Sequence, residues 1–176
     1  MATILLGVTG SIAAYKACEL TRLFVQNGHD THVIMTDAAT RFVSPLTFRT
    51  LSRNPVALGL FDEPVAWVPG HISLAERADV LVIAPCTANV LAKLAHGLAD
   101  DMLAATALAT RAPLVIAPAM NTGMWGNPAT QANMATLAAR GAVFVDADTG
   151  GLACGTTGKG RMAAPQVIFE AVNPKL

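Results

Sequence analysis

Short, nearly continuous apolar runs alternate along the chain with stretches in which apolar residues recur every three or four positions. This alternation predicts strands interleaved with helices. The runs fall at residues 4–8, 31–35, 80–84, 114–117 and 143–145 and are rich in Val, Ile and Leu. Strands with one wet face alternate apolar and polar residues, so continuous runs predict parallel strands covered on both faces. The helix-period stretches are 11–27, 88–97, 101–109 and 128–140, the first ended by Gly28 and the last by Gly141. In the first, Ile12, Tyr15, Leu20, Leu23 and Phe24 supply the predicted buried stripe. The predicted class is α/β, a Rossmann-like or flavodoxin-like doubly wound parallel sheet in three α/β/α layers, with residues 1–176 forming one domain.

In open α/β sheets ligands bind beyond the carboxyl ends of the strands. Gly10 and Ser11, Thr36, the turn 85–89 and the turn 118–121 are therefore expected to converge. Residues 148–161 hold Gly150, Gly151, Gly155, Gly158 and Gly160, a density that predicts a flexible loop acting as a lid rather than a packed element.

Composition narrows the function classes. Twelve Lys and Arg balance twelve Asp and Glu with no basic cluster, so the footprint of a nucleic-acid binder is missing. Hydrophobic residues make up 53% and charged residues 14%, which predicts apolar surface covered between subunits. Three cysteines without a CxxC pair suit a reducing compartment and no zinc site. No apolar run approaches the length of a membrane span and no leader is evident, so a cytoplasmic, membrane-free protein is expected.

Four places carry candidate chemistry. The strand-turn-helix at Val8-Thr9-Gly10-Ser11-Ile12 offers a hydroxyl and backbone amides to a phosphate monoester, or Ser11 caps the helix. The sequence there is neither a Walker loop nor a G-x-G-x-x-G fingerprint, which favours a mononucleotide over a dinucleotide. His71, after Pro69-Gly70, opens a short element from which an imidazole can reach a cleft, whereas His29, His32 and His96 look structural. Asn121, after a strand, either clamps a carboxylate or makes an Asx turn. Cys154 lies in the glycine-rich segment and is placed like a reagent, unlike Cys18 and Cys86.

In order along the chain, Gly7-Val8-Thr9-Gly10-Ser11-Ile12-Ala13-Ala14-Tyr15-Lys16, His71-Ile72, Ala84-Pro85-Cys86-Thr87-Ala88-Asn89, Pro118-Ala119-Met120-Asn121 with Met124-Trp125, and Ala153-Cys154-Gly155 with Gly160-Arg161-Met162 resemble the homo-oligomeric flavin-containing cysteine decarboxylases. Within that family the resemblance is to decarboxylases of 4'-phosphopantothenoylcysteine in coenzyme A biosynthesis. It implies FMN held by Gly10, Ser11, Ile12, Thr36, Phe42, Pro85, Thr87 and Asn89, and substrate held by Asn121, Ala119, Met120 and Lys159. It also implies His71 and Cys154 as catalytic residues, a trimer or a multiple of it up to a dodecamer with FMN between subunits, and a phosphopantothenate-cysteine ligase as fused domain or partner.

The implied chemistry follows from the substrate. Direct loss of CO2 from a cysteine carboxylate leaves a carbanion without an electron sink. Flavin creates a sink by oxidising CH2–SH to a thioaldehyde, and the resulting enethiol is then reduced. His71 would serve as acid and base, and Cys154 would supply the last proton. Relatives that decarboxylate peptidyl-cysteine and stop at the enethiol lack that cysteine. Flavin prenyltransferases and a non-enzymatic FMN-binding regulatory subunit are the other readings.

Overall fold

The computed structural model describes residues 1–62, 68–151, 155 and 157–175. The elements run β1 (Thr3–Val8), α1 (Ala14–Gln26), β2 (Asp30–Met35), α2 (Asp37–Thr40), α3 (Pro45–Ser52), β3 (Val56–Ala57), α4 (Gly70–Arg77), β4 (Val80–Cys86), α5 (Ala88–His96) and α6 (Met102–Ala109). They continue with β5 (Leu114–Pro118), α7 (Thr122–Trp125), α8 (Pro128–Ala139), β6 (Val143–Phe144), β7 (Asp148–Gly151), β8 (Thr157–Arg161) and α9 (Pro165–Val172).

Six strands form a parallel sheet in the order β3-β2-β1-β4-β5-β6. This is the Rossmann order, with its topological switch between β1 and β4, and not the flavodoxin order. Successive side chains of each strand enter opposite layers. Ile4, Leu6 and Val8 pack with Leu20, Phe24 and Phe48 on the side of α1, α3 and α9, while Leu5, Leu81 and Ile83 pack with Leu91 and Leu103 on the side of α5 and α6. Each such burial contributes about 1.5–3 kcal/mol, so both layers hold the sheet. No helix among the described residues is long and apolar enough to cross a membrane.

Two expectations are corrected. The first helix starts at Ala14 rather than Ser11, and its buried face is Ala14, Ala17, Leu20, Thr21 and Phe24. Ile12 and Tyr15 are 59% and 60% exposed, because residues 11–13 turn outside the helix and Tyr15 falls on its far side. The glycine-rich segment is no mere loop: β7 and β8 pair antiparallel from Asp148↔Arg161 to Gly151↔Thr157. The glycines instead clear space outside the ribbon, where a Cβ on Gly158 would run into the Thr122 side chain and one on Gly160 into the Met120 carbonyl. Short helices α2, α3 and α9 and the edge strand β3 carried too little periodic signal to be predicted.

Candidate active site

The carboxyl ends of β1 and β4 are braced together by Thr9. Its fully buried side chain donates to the Pro85 carbonyl at 2.7 Å and accepts the Thr87 amide at 3.0 Å. Gly10 follows, packed against α2: a Cβ there would overlap the Ala38 methyl and lie 3.0 Å from the Ala38 carbonyl carbon. Ser11 does not occupy the cap position of α1, which falls to Ala13; its Oγ accepts the Ala13 amide at 3.2 Å within the turn. Thr36 caps α2 through the Ala39 amide, and Thr87 caps α5 through the Val90 amide, each at 3.3 Å. Asn89 and Phe42 are exposed, and Pro85 is buried. The pairing of β4 with β5 slips between Ile83↔Ile116 and Cys86↔Pro118, and such bulges re-aim the chain beside sites.

Beyond β5, the Asn121 side chain caps α7 by accepting the Gly123 amide at 2.7 Å, the Asx arrangement that the sequence left open. Ala119 donates its amide to the Cys86 carbonyl at 2.9 Å, and Met120 to the Gly160 carbonyl at 3.0 Å. Gly160 has φ +138°, and a Cβ there would run into the Met120 carbonyl. The β7–β8 ribbon is thereby clasped onto the turn carrying Asn121. Lys159 extends from this ribbon to Asp146 Oδ2 at 2.6 Å, with Nζ 5.2 Å from the centre of the Trp125 ring.

A cleft of about 480 Å³ lies between these parts, lined by Ser11, Ile12, Tyr15 and Lys16 on one side and by Asn121, Arg161 and Met162 on the other. The volume is that of an ordinary small-molecule site. Ala119, Met120 and Gly160 contribute to its walls, so the first and fourth predicted turns do converge. Sequence reading missed Lys16 and Arg161, although both stood inside quoted motifs. Lys16 Nζ donates to the Met162 carbonyl at 2.9 Å. Burial, then the charge of Arg161, pulls its ammonium below the usual lysine range, while Asp148 and Glu19 pull the other way.

His71 is the second residue of α4, a helix packed against α6 in the opposite layer from α1. It does not line this cleft. Its ring is half-buried, and Nδ1 is buried with no hydrogen-bond partner among the described residues. An orphaned imidazole nitrogen of this kind fits a ligand or a second chain supplying the missing contact. Cys154 lies outside the described residues. Cys86 is fully buried, which pushes its thiol up, and His32 is held by Asp30 at 2.9 Å.

A Rossmann-ordered sheet with a cleft at the carboxyl ends of its strands defines the class of α/β protein that takes its ligand at the topological switch of the sheet. The chain belongs to the flavoprotein family, which it matches over residues 1–176. It is 51% identical over 167 residues to the coenzyme A biosynthesis bifunctional protein CoaBC of Bacillus subtilis, covering 95% of this chain and 41% of that protein. It is 43% identical over 175 residues to the probable phosphopantothenoylcysteine decarboxylase of Streptococcus mutans, covering 98% of each. A solved structure of PPC decarboxylase, a cysteine-to-serine variant complexed with pantothenoylaminoethenethiol, matches with a TM-score of 0.88 and 34% identity over 98% of this chain and 97% of that one. The FMN binding protein AtHal3 matches with a TM-score of 0.85 and 34% identity over 98% and 95%. The chain thus spans about two fifths of the bifunctional relatives, 41% for the B. subtilis protein, and nearly all of the S. mutans one.

Proposed function

We propose that the chain uses FMN to decarboxylate 4'-phosphopantothenoylcysteine to 4'-phosphopantetheine in coenzyme A biosynthesis. The observation that carries this reading is the single cleft in which the Ser11 turn faces the clasped Asn121 turn. The end-to-end likeness to a probable phosphopantothenoylcysteine decarboxylase supports it.

The residues present fit FMN. Gly10 brings its turn against Ala38 where a side chain would collide, the Thr9 brace holds that turn beside Thr87, and the buried Nδ1 of His71 awaits a partner. Flavin bound here supplies a two-electron oxidation of the substrate's CH2–SH and returns the electrons to the enethiol, so that the departing carboxylate has a sink. Gly10, Ser11 and Ile12 hold the phosphate, and Thr36, Phe42, Pro85, Thr87 and Asn89 line the rest of the cofactor. The side-chain amide of Asn121 orients the substrate carboxylate, Ala119 and Met120 wall the substrate beside it, and Lys159 completes the substrate side. His71 takes the thiol proton, and Cys154 returns one to the product carbon.

Because α4 lies in the layer away from the α1 wall, His71 serves the cleft of a neighbouring copy in this reading. The assembly proposed is the homotrimer, or a multiple of it, that the family resemblance implies. A phosphopantothenate-cysteine ligase, fused or separate, and a cytoplasmic setting complete the proposal. The test is to load the purified chain with FMN, add 4'-phosphopantothenoylcysteine, and measure CO2 together with the mass of the thiol product. The expected product is the saturated thiol. No CO2 above an FMN-free control overturns the reading, and accumulation of a thiol two hydrogens lighter favours the peptidyl-cysteine type of chemistry instead.

A further inference from the structure

We propose that Lys16 and Arg161 together form a receptor for a phosphate monoester dianion in the cleft, and that the phosphate it reads is the one at the far end of the substrate. The proposal rests on the function read above. Lys16 lies in the first turn of α1 and Arg161 ends β8, yet both line the same cleft with Ser11, Ile12, Tyr15 and Met162.

The ammonium of Lys16 donates one hydrogen bond to the Met162 carbonyl at 2.9 Å. That bond ties it to the cleft wall and leaves two donors. Arg161 lies across the ribbon over Gly150, where a Cβ would come within 3.5 Å of Nη1 and 3.8 Å of Cδ. No ion pair between described residues engages either cation. Asp148, which pairs with Arg161 across the ribbon, and Glu19 are the acidic groups that act on Lys16. They offset only part of the penalty, because burial and the Arg161 charge still lower the affinity of Lys16 for its proton. A lysine ammonium held at such a disadvantage, with the Arg161 charge beside it in the same cleft, is relieved by an anion between the two. A phosphate monoester carries a charge of about −1.5 to −2 at neutral pH and presents oxygens that match the guanidinium fork.

The proposed substrate carries such a group at the end remote from its thiol, separated by a branched apolar stretch. Ile12 and Tyr15, both apolar and more than half exposed, give that stretch a wall beside the cations. Binding at this remote end then serves to hold the reacting end in place.

FMN bears the same chemical group, so the experiment has two arms. The first compares kcat/KM for 4'-phosphopantothenoylcysteine and for its dephosphorylated analogue in the FMN-loaded wild type, Lys16→Met and Arg161→Met, with Lys16→Arg as the conservative variant. Removing either cation is expected to reduce the preference for the phosphorylated substrate about 10- to 100-fold, the scale of one charge-assisted hydrogen bond, and Lys16→Arg to restore part of it. The second arm measures the binding of FMN and of riboflavin by flavin fluorescence, and the ratio of their affinities is expected to be the same in all four proteins. If that ratio collapses in the variants while the substrate preference holds, the pair receives the flavin phosphate, and the assignment to the substrate is overturned. If neither ratio moves, the receptor itself is overturned. Arg161 is exposed, so its variant carries the test even where Lys16→Met fails to fold. A wild type that decarboxylates neither substrate overturns the function instead, and the flavin arm still tests the pair.

Discussion

The side chain of Thr9 accepts the backbone amide of Thr87 at 3.0 Å across the switch point of the sheet, while its own hydroxyl hydrogen goes to Pro85 at 2.7 Å. The two turns proposed to hold the cofactor are therefore not independent. Thr9→Val keeps the shape and leaves the Thr87 amide and the Pro85 carbonyl without this partner, at about 1–3 kcal/mol for each buried group. The expected loss is about 2–6 kcal/mol in urea denaturation, together with weaker FMN retention in fluorescence titration. Thr9→Ser keeps the hydroxyl and should lose only about 1 kcal/mol, the worth of a buried methyl. Equal losses in the two variants would mean that packing, not the brace, matters at this position.

His71 and Cys154 are expected to fail at different steps. His71→Asn should lower CO2 release about 100-fold or more, the usual scale of a missing general acid or base. Cys154→Ser should still release CO2 in a first turnover and leave a product two hydrogens lighter than 4'-phosphopantetheine, read by mass spectrometry. Normal production of the saturated thiol by Cys154→Ser would remove the assigned role of that cysteine.

The position of α4, packed on α6 away from the cleft wall formed by α1, predicts a site completed by a neighbouring copy. Light scattering of the FMN-loaded protein should give a trimer or a multiple of three. Inactive His71→Asn and Asn121→Ala chains, refolded together, should regain measurable decarboxylation, because some clefts then receive an intact member of each pair. A fully active monomer, or no recovery on mixing, would place both residues in one chain's site.

His29 links stability to pH. Its Nδ1 is buried without a hydrogen-bond partner among the described residues, its ring meets Phe24 edge-on at 6.5 Å, and burial lowers its affinity for a proton, with the N-terminal charge adding to the effect. The unfolded chain then binds that proton more tightly than the folded one. Stability should therefore fall as pH drops below about 6.5, the ordinary histidine value. His29→Gln should flatten that slope in thermal melts between pH 5 and pH 7, and an unchanged slope would assign it to other groups.

Much of the architecture was legible before any coordinates. Unbroken Val, Ile and Leu runs can be satisfied only where both faces are covered, so β1, β2, β4 and β5 and the layered class follow from local pattern alone. Because each strand must release its chain at a carboxyl end, the turns bearing Ser11 and Asn121 could be assigned to one rim without knowing the strand order. That order was not local information. The Rossmann sequence of strands depends on which edges meet after the helices pack, as does the separation of His71 from the cleft. The phase of α1 was misread because residues 11–13 carry helix-like spacing but turn outside the helix, which exposes Ile12 and Tyr15. Lys16 and Arg161 stood in view as unremarkable cations. Only the pairing of β7 with β8 and the clasp of Gly160 on Met120 bring them to one cleft, since long-range approach is decided by packing and backbone clearance, which periodicity does not encode.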